Sequence, residues 1–137
     1  MSAPDDPRPR LRVCCAVIER GGKLLAARRP QGRQLAGKWE FPGGKVEPSE
    51  TDEQCLVREV FEELGVRVEI VRKLKERPIA GSYICLVPFL CRLTLGEPQP
   101  LVHEALQWLA PADLPALDWA PADIPIWEQW LLERPSA

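Results

Sequence analysis

Residues Gly44 to Val66 read GKVEPSETDEQCLVREVFEELGV, and this stretch decides how the rest of the chain is interpreted. Its apolar side chains recur at three- and four-residue spacing, which predicts a helix from Thr51 to Leu64 that stops at Gly65. Ser49 or Thr51 can cap the start of that helix with a hydroxyl oxygen. The apolar face expected to lie against the core consists of Leu56, Val57, Val60, Phe61 and Leu64.

The other side of the predicted helix carries acidic residues that share one face. Glu59 lies three residues before Glu62 and four before Glu63, so the three carboxylates point the same way. Like charges at this spacing cost about 0.2–0.5 kcal/mol per pair unless a cation lies among them. A hard divalent ion such as Mg²⁺ prefers oxygen ligands and often bridges them to substrate phosphates. The acidic face predicts a metal site. If only the helix is considered, a solvated acidic surface is the alternative.

The residues around the helix follow one defined pattern. Five residues separate Gly44 from Glu50, seven more lead to Arg58, and every remaining position completes GX5EX7REUXEEXGU, in which U is aliphatic. Average residue frequencies give a chance match of roughly 10⁻⁷ in a chain of this length. Through this motif the chain resembles the Nudix hydrolase family. The resemblance implies an α+β fold, an α/β/α sandwich with a mixed β-sheet, one catalytic helix and a C-terminal helix.

The resemblance also implies roles for the motif residues. Glu59, Glu62 and Glu63 would bind Mg²⁺, or Mn²⁺ in its place, together with the carbonyl of Gly43. The metal would polarise a phosphate and activate water for attack on phosphorus. Arg58 and Glu50 would be catalytic residues that do not bind the metal themselves but hold the metal-binding carboxylates in place.

Four residues outside the helix are further predictions. Glu104 precedes a tryptophan by four residues, where related enzymes place another acidic metal ligand or a catalytic base; a surface glutamate is the alternative. Lys45 and Arg29 are candidate phosphate contacts, with solvated surface cations as the alternative. His103 is the only histidine. It is expected to be structural or solvent-facing, not catalytic.

Two segments narrow the resemblance to the MutT-like branch, most closely its CTP pyrophosphohydrolases, with 8-oxo-dGTP diphosphatases as the alternative. They are Lys38 to Glu47 and Ala120 to Pro125. The resemblance implies that Asp123 hydrogen-bonds the base edge, by accepting from the amine of cytosine or from an N–H of oxidised guanine. A helix cap is the other interpretation of Asp123, because Asp113 in a near-repeat ten residues earlier also looks like a cap.

The remaining predicted substrate contacts flank these segments. Tyr83 and Trp119 are candidate stacking partners for a base, with a core tryptophan as the alternative for Trp119. Ser82 falls where close relatives have an arginine near the base, which puts a base contact from that segment in doubt. The first of the two segments supplies Glu40, Phe41 and Gly44.

Outside the motif, the chain is expected to form a flexible tail over residues 1–10 and a single domain over residues 11–134. The tail contains three prolines and no apolar periodicity. Pro88 is expected to make its strand bulged or an edge of the sheet. Strands are predicted at Leu11 to Glu19, Lys23 to Ala27, Val66 to Val71, Ser82 to Leu93 and Glu104 to Leu109, and a helix at Ile126 to Leu132.

Composition and charge exclude several classes of protein. Of the 137 residues 45% are apolar and 28% charged, which is typical of a globular domain. A formal net charge of −2 provides no basic field for a nucleic-acid polymer. No apolar run approaches the roughly 18 residues of a membrane span, and the first ten residues lack the apolar stretch of a signal peptide. We therefore expect a cytoplasmic protein without a membrane partner.

The cysteines are expected to be reduced and mostly buried. There are five of them, an odd number without a CxxC pair, which argues against a disulfide framework and a zinc site. Their positions are Cys14, Cys15, Cys55, Cys85 and Cys91.

The predicted function is hydrolysis of a nucleoside triphosphate to the monophosphate and pyrophosphate. The expected substrates are (d)CTP or modified cytidine triphosphates, with 8-oxo-dGTP as the alternative. Hydrolysis of dinucleotides or nucleotide sugars is disfavoured by the small size of the chain. A non-catalytic binding module is disfavoured because all motif glutamates are kept. The protein is expected to be a monomer or a homodimer.

Overall fold

A computed structural model describes residues 10–135. The predicted tail therefore lies outside the described residues, except for residue 10. No helix in the described part is long and apolar enough to cross a membrane. The described strands and helices are β1 (Leu11–Arg20), β2 (Lys23–Arg28), β3 (Trp39–Glu40), β4 (Gly43–Lys45), α1 (Asp52–Leu64), β5 (Arg67–Lys73), β6 (Arg77–Pro78), β7 (Ile84–Leu95), β8 (Ala105–Leu109) and α2 (Ile124–Glu133), with 3₁₀ helices at Pro111–Ala116 and Pro121–Asp123.

The strands form a mixed sheet in the order β3-β2-β1-β7-β5, with β4 on β1, β6 on β7 and β8 on β2. Strands β1 and β7 run parallel, from the pair Leu11 and Ile84 to the pair Ile18 and Cys91. The other pairings are antiparallel. The predicted mixed sheet is therefore confirmed, and β1 lies at its centre.

Alternation along β1 divides the core into two layers. Successive side chains of a strand point to opposite faces of the sheet. Accordingly Cys14 and Ile18 pack with the buried face of α1, whereas Cys15 and Val17 pack with the tryptophans of α2. The sheet lies between the two helices, which confirms the predicted α/β/α sandwich. All five cysteines are free and buried, as expected.

Helix α1 begins and ends where the sequence predicts. The Thr51 hydroxyl accepts a hydrogen bond from the Gln54 N–H, the Gln54 side chain accepts one from the Thr51 N–H, and Gly65 closes the helix in the left-handed conformation at φ 69°. The expected apolar face is partly wrong, because Phe61 is 51% exposed. Its ring lies outside the core, under the guanidinium of Arg67 at 5.3 Å.

The expectation for Pro88 is wrong as to an edge, because strand β7 is paired on both sides. Two shifts of register occur between β5 and β7: Val71 is an extra residue of β5, and Thr94 is an extra residue of β7. Strand β7 is therefore bulged, but near its end and not at Pro88. The carbonyl of Pro88 accepts a hydrogen bond from the N–H of Leu74, which follows the end of β5. A residue's N–H and C=O point to the same side of a strand. The missing donor of Pro88 therefore faces the gap between β5 and β6, where no ladder bond is lost.

The two predicted aspartate caps are absent. Asp113 lies inside the first 3₁₀ helix, whose start at Ala110 has no side-chain cap. Asp123 lies at the start of α2 but makes no capping hydrogen bond to it. Both segments instead begin with a proline at the first helical position, where the missing N–H costs nothing. The cap interpretation of Asp123 is therefore wrong.

Candidate active site

Two consecutive glycines bring β1, β4 and α1 into close contact. Gly43 and Gly44 pair with Cys15 and Cys14 of β1. A Cβ added at Gly43 would lie 1.9 Å from the carbonyl oxygen of Cys14, and one added at Gly44 would lie 2.2 Å from Oε2 of Glu59. Glycine is therefore required at Gly43, where a backbone approaches, and at Gly44 it leaves space for the carboxylate of Glu59.

Arg58 is surrounded by the carboxylates of the motif. Its Nε and Nη2 donate to the two oxygens of Glu50 at 3.0 and 2.6 Å. Its Nη1 donates to Glu59 at 3.3 Å and to Glu62 at 3.1 Å. The bonds from Arg58 lower the pKa of Glu50 to about 2. Glu50 and Arg58 thus form a charged pair beside Glu59 and Glu62, a geometry suited to orienting these carboxylates.

Glu63 lies deeper than its neighbours. One of its oxygens accepts the N–H of Gly43 at 3.2 Å. Burial, with the charge of Glu59 as the next cause, raises the pKa of Glu63 to about 8. Burial likewise raises the pKa of Glu59. Two adjacent carboxyl groups thus resist ionisation, and a cation placed between them would remove that penalty.

The donor set fits a hard divalent cation. Carboxylate and peptide oxygens are the ligands that Mg²⁺ takes, and Glu59, Glu62 and Glu63 bring three carboxylates to the loop that contains the Gly43 carbonyl. Within residues 10–135, no three His, Cys, Asp or Glu side chains are already arranged as a metal cage. The Gly43 N–H and Arg58 each donate to one oxygen of these glutamates, which leaves the second oxygen of Glu59, Glu62 and Glu63 outside these bonds.

A cavity of about 190 Å³ opens beside the glycine loop. Three cations, Arg29, Arg33 and Lys45, line it together with the Asp123 carboxyl. Arg33 was missed by the sequence analysis, because it lies in an exposed polar segment between β2 and β3 where nothing local distinguishes it. The hydrogen bond from the Arg29 N–H to the Lys38 carbonyl closes that segment and brings Arg33 to the cavity.

Arg29 is held by a buried network. Its Nε donates to Oε1 of Glu40 at 2.7 Å, and Nε2 of His103 lies 2.9 Å from Oε2 of the same carboxylate. Burial opposes ionisation of Glu40, but His103 and Arg29 together lower its pKa. One oxygen of Glu40 thus orients Arg29 at the cavity wall, and its other oxygen is held by His103. His103, whose side chain is 1% exposed, has the predicted structural position.

The C-terminal segment delivers Asp123 to the same cavity. Trp39 of β3 donates its N–H to Asp118 and accepts one from Ala120, which draws this segment against the sheet. Asp123 is then 7% exposed, and its Oδ2 accepts the N–H of Phe41 at 2.8 Å. Burial raises the pKa of Asp123 to about 7. The two residues of this hydrogen bond, Phe41 and Asp123, lie far apart in the sequence.

Trp119 supports this arrangement from the core. It is 4% exposed, and its ring centroid lies 5.0 Å from that of Phe41. Its indole N–H donates to the carbonyl of Leu114 at 2.7 Å. The structure therefore favours the core interpretation of this tryptophan over direct stacking on a base.

Two further predicted site residues, Glu104 and Tyr83, are not among the residues that line the cavity, and neither is Ser82. Glu104 precedes β8, where its N–H donates to the Arg28 carbonyl and its carboxylate lies 3.4 Å from the Arg28 guanidinium. The carbonyl of Tyr83 accepts the N–H of Leu11. The hydroxyl of Ser82 accepts the N–H of Ile84 within a turn. The predicted roles of Glu104 and Tyr83 in metal and base binding stay predictions.

Comparison with known sequences identifies the family to which this fold and the glutamate-bearing helix α1 belong. The family described as NUDIX domain matches residues 8–130. The chain therefore belongs to the Nudix hydrolase family, and it is a MutT-like member of it.

Relatives and solved structures agree with this placement. The chain is 40% identical to the CTP pyrophosphohydrolase of Escherichia coli over 90% of its own length and 93% of the relative. It is 38% identical to a putative 8-oxo-dGTP diphosphatase 2 of Mycobacterium tuberculosis over 81% of both chains. A crystal structure of a MutT Nudix hydrolase from Burkholderia pseudomallei superposes with TM-score 0.78 at 35% identity, covering 89% of this chain and 98% of the other.

These matches establish the enzyme class. The chain is a nucleotide pyrophosphohydrolase, which cleaves phosphorus-containing acid anhydrides. Nudix hydrolases generally use divalent metals, which agrees with the three carboxylates on α1.

Proposed function

We propose that the protein hydrolyses (d)CTP or a modified cytidine triphosphate to the monophosphate and pyrophosphate, with Mg²⁺ as the metal and Mn²⁺ as a substitute. The observation that carries this proposal is the Asp123 carboxyl, which is buried at the cavity and held through one oxygen by the N–H of Phe41. The similarity to a CTP pyrophosphohydrolase over nearly the whole chain supports it.

The chemistry of Asp123 suits the edge of cytosine. A pKa of about 7 means that the carboxyl group carries a proton for part of the time at neutral pH. A protonated carboxyl group donates through its O–H and accepts through its other oxygen. Cytosine offers the complement, an acceptor at N3 beside the donor amine at N4. One buried side chain can therefore read both groups, while the Phe41 N–H fixes its orientation.

The cations of the cavity suit the phosphate end of the substrate. Arg29, Arg33 and Lys45 bring three positive charges to a wall that borders the glycine loop. Arginine and lysine bind phosphate oxygens through charge-assisted hydrogen bonds. We assign them to the triphosphate, with Arg29 held in place by the Glu40 and His103 network.

The metal would be held by Glu59, Glu62, Glu63 and the carbonyl of Gly43. When bound, it supplies Lewis-acid activation of the phosphate and lowers the pKa of a water molecule. The chain itself contributes the orientation of these ligands, through the bonds of Arg58 to Glu50, Glu59 and Glu62. Glu104 is a further candidate for an acidic metal ligand or the catalytic base.

The second candidate substrate is 8-oxo-dGTP, which the same carboxyl group favours. An oxidised guanine presents an N–H at position 7 beside the O6 acceptor, and a protonated carboxyl group complements this edge as well. The similarity to 8-oxo-dGTP diphosphatases supports this alternative.

A panel of triphosphates with Mg²⁺ tests the proposal. CTP and dCTP should have the highest kcat/KM, and a phosphate-release assay should respond only after inorganic pyrophosphatase is added. EDTA should abolish the reaction, and Mn²⁺ should restore part of it. A higher kcat/KM for 8-oxo-dGTP than for any cytidine triphosphate would establish the second candidate instead. Release of orthophosphate as the sole inorganic product would overturn the proposed reaction.

Substitutions of Asp123 test the base contact. Asp123→Ala leaves the buried Phe41 N–H without its acceptor and should lower kcat/KM for CTP by about 10- to 100-fold. Asp123→Asn keeps an acceptor for Phe41 and imitates the protonated carboxyl group. Its kcat/KM for CTP should therefore fall less between pH 6 and pH 8 than that of the wild type, in which the carboxyl group loses its proton.

Asp113→Ala is the matched control, because Asp113 occupies the same place in the near-repeat but is exposed. Its kinetics should equal those of the wild type. If Asp123→Ala lowered kcat/KM equally for purine and pyrimidine triphosphates, Asp123 would be a structural residue only.

The remaining sequence predictions stay predictions. They concern a single domain over residues 11–134, a cytoplasmic location and a monomeric or homodimeric state.

A further inference from the structure

Two buried thiols meet beneath the glycine loop. The Sγ atoms of Cys14 on β1 and Cys55 on α1 lie 2.9 Å apart, closer than two non-bonded sulfur atoms normally approach. Their side chains are 1% and 0% exposed. A disulfide bond has a sulfur–sulfur distance of about 2.05 Å, so the two atoms are within about 1 Å of bonding.

The other three cysteines contact different groups. Cys15 is next to Cys14 in sequence, but alternation along β1 turns it to the opposite face of the sheet, and its thiol lies 3.9 Å from the Val13 carbonyl. The thiol of Cys85 lies 3.8 Å from the Leu86 carbonyl, and that of Cys91 lies 3.5 Å from the Phe89 carbonyl. Cys14 and Cys55 are thus set apart by their mutual contact.

The thiol pair touches the elements that carry the catalytic carboxylates. Cys55 Sγ lies 3.5 Å from the Gly44 carbonyl oxygen and 3.4 Å from that of Lys45. Cys14 pairs with Gly44 across the ladder between β1 and β4. Nη2 of Arg58 lies 3.8 Å from Cys55 Sγ. A change at these sulfurs would therefore reach both the glycine loop and the arginine that orients the motif carboxylates.

We propose that Cys14 and Cys55 form a redox modification site, in which a hydroperoxide converts the two thiols to a disulfide that ties α1 to β1 and slows hydrolysis. The inference adds a means of control to the enzyme class and does not depend on which nucleotide is the substrate.

The chemistry balances with hydrogen peroxide as the oxidant. One thiol loses its proton, and its sulfur attacks a peroxide oxygen, so that the O–O bond breaks, a sulfenic acid forms and one water molecule leaves. The second sulfur then attacks the sulfenic sulfur, the S–O bond breaks, and a second water molecule carries away the remaining proton. Two thiols and one hydrogen peroxide thus yield one disulfide and two water molecules. Because both thiols are buried, the rate depends on local opening of the loop and the first turns of α1.

The disulfide would disturb the loop in two ways. It removes the S–H group of Cys55 that faces the carbonyls of Gly44 and Lys45, and it draws the helix about 1 Å towards β1. A misplacement of about 1 Å can cost an enzyme up to 100-fold in rate. We expect kcat of the oxidised protein to fall by about tenfold. The melting temperature should rise, because the new bond restricts the unfolded chain between residues 14 and 55.

The experiment uses the full chain, reduced and then treated with hydrogen peroxide. Remaining thiols are alkylated, and the digest is read by mass spectrometry, with fragment ions to separate Cys14 from the adjacent Cys15. The expected product is a crosslinked peptide pair joining Cys14 and Cys55, with the other three cysteines alkylated. Hydrolysis of the best substrate should fall about tenfold and return after treatment with dithiothreitol.

Two variants serve as controls. Cys55→Ser keeps a donor near the loop carbonyls, so it should hydrolyse at the wild-type rate and keep that rate after peroxide. Cys14→Ala is the substitute if the hydroxyl group is not tolerated at the buried position, because it removes the partner sulfur and leaves the Cys55 thiol on the carbonyls of Gly44 and Lys45. Cys91→Ser changes a buried thiol without a cysteine partner and should respond to peroxide as the wild type does.

Three results would overturn the inference. The first is complete oxidation of the thiols without a crosslink between Cys14 and Cys55. The second is a crosslink that leaves kcat unchanged. The third is an equal loss of activity in the wild type and in Cys55→Ser. Because the pairing is read by mass, its outcome is separate from that of the substrate panel.

Discussion

Replacing Glu63 by glutamine should lower kcat by about 10³-fold while leaving the fold intact. Glutamine keeps an oxygen that can accept the Gly43 N–H, so the local structure is preserved. It removes the negative charge through which Glu63 would hold the metal, and a loss of several kcal/mol of transition-state stabilisation corresponds to a fall of this size. The measurement is kcat at saturating substrate and Mg²⁺, beside the circular dichroism of both proteins.

The same substitution should make the metal-free protein more stable at neutral pH. The pKa of Glu63 is raised to about 8 in the folded protein from an ordinary value of 4.5. The folded state then binds more protons than the unfolded state between these two values, so stability falls as the pH rises through this window. The full penalty, on the order of a few kcal/mol, is reached above pH 8. Glu63→Gln has no group to ionise at this position and should show a smaller loss.

Matched variants separate the two effects. Melting curves in EDTA between pH 5 and pH 8 should show the shallower slope for Glu63→Gln but not for Glu62→Gln, whose side chain is 55% exposed. Glu53→Gln, in the exposed first turn of the same helix, should keep wild-type kcat. A Glu63→Gln protein with kcat within about twofold of the wild type would remove this residue from the catalytic set.

Alanine at the two neighbouring glycines should affect different properties, stability at Gly43 and catalysis at Gly44. At Gly43 a Cβ would lie 1.9 Å from the Cys14 carbonyl oxygen and 2.8 Å from its carbon, so the backbone of β1 would have to move. We expect Gly43→Ala to lower the free energy of unfolding by more than about 3 kcal/mol. At Gly44 a Cβ meets only the carboxylate end of Glu59, which can rotate away. Gly44→Ala should therefore stay folded but lose about 10²-fold in kcat, because Glu59 is displaced.

Urea unfolding and kcat, measured on both variants, check this contrast. Gly21→Ala is the control for the backbone alone, since Gly21 has φ 59° and open space around it. It should cost about 1–2 kcal/mol without a change in kcat. If the Gly44 and Gly43 variants were equally destabilised, the Glu59 side chain would not be the group that Gly44 accommodates.

Local patterns explain why most of the fold could be predicted. Helix α1 was predicted with its cap and its stop because both signals lie within a few residues of the helix ends. The long strands followed from their apolar runs. Strands β3, β4 and β6 have only two or three residues, too few for any periodicity, and their pairing depends on distant partners. Phe61 was assigned to the core because its spacing matches that of the buried residues of α1.

In the candidate site too, contacts between residues close in sequence could be predicted, and contacts between distant segments could not. Arg58 and Glu50, which the motif singles out, bond each other eight residues apart in the chain. The contact between Asp123 and Phe41 spans 82 positions, and a helix cap was the local interpretation that the structure replaced. Arg33 and the thiol pair arise from the packing of segments that no short pattern connects.

The parallel ladder between β1 and β7 determines when the protein can begin to fold. Each pair in it joins residues about half the chain apart, from Leu11 with Ile84 to Ile18 with Cys91. Contacts between distant residues form slowly, because a long loop must close before any stabilisation is gained. During synthesis, the edge of β1 that pairs with β7 must therefore stay unpaired until the ribosome has made β7, although β2, β4 and α1 are made earlier. We expect an early requirement for protection of the apolar middle of this strand, Cys14 to Ile18, which the folded protein buries between the two helices.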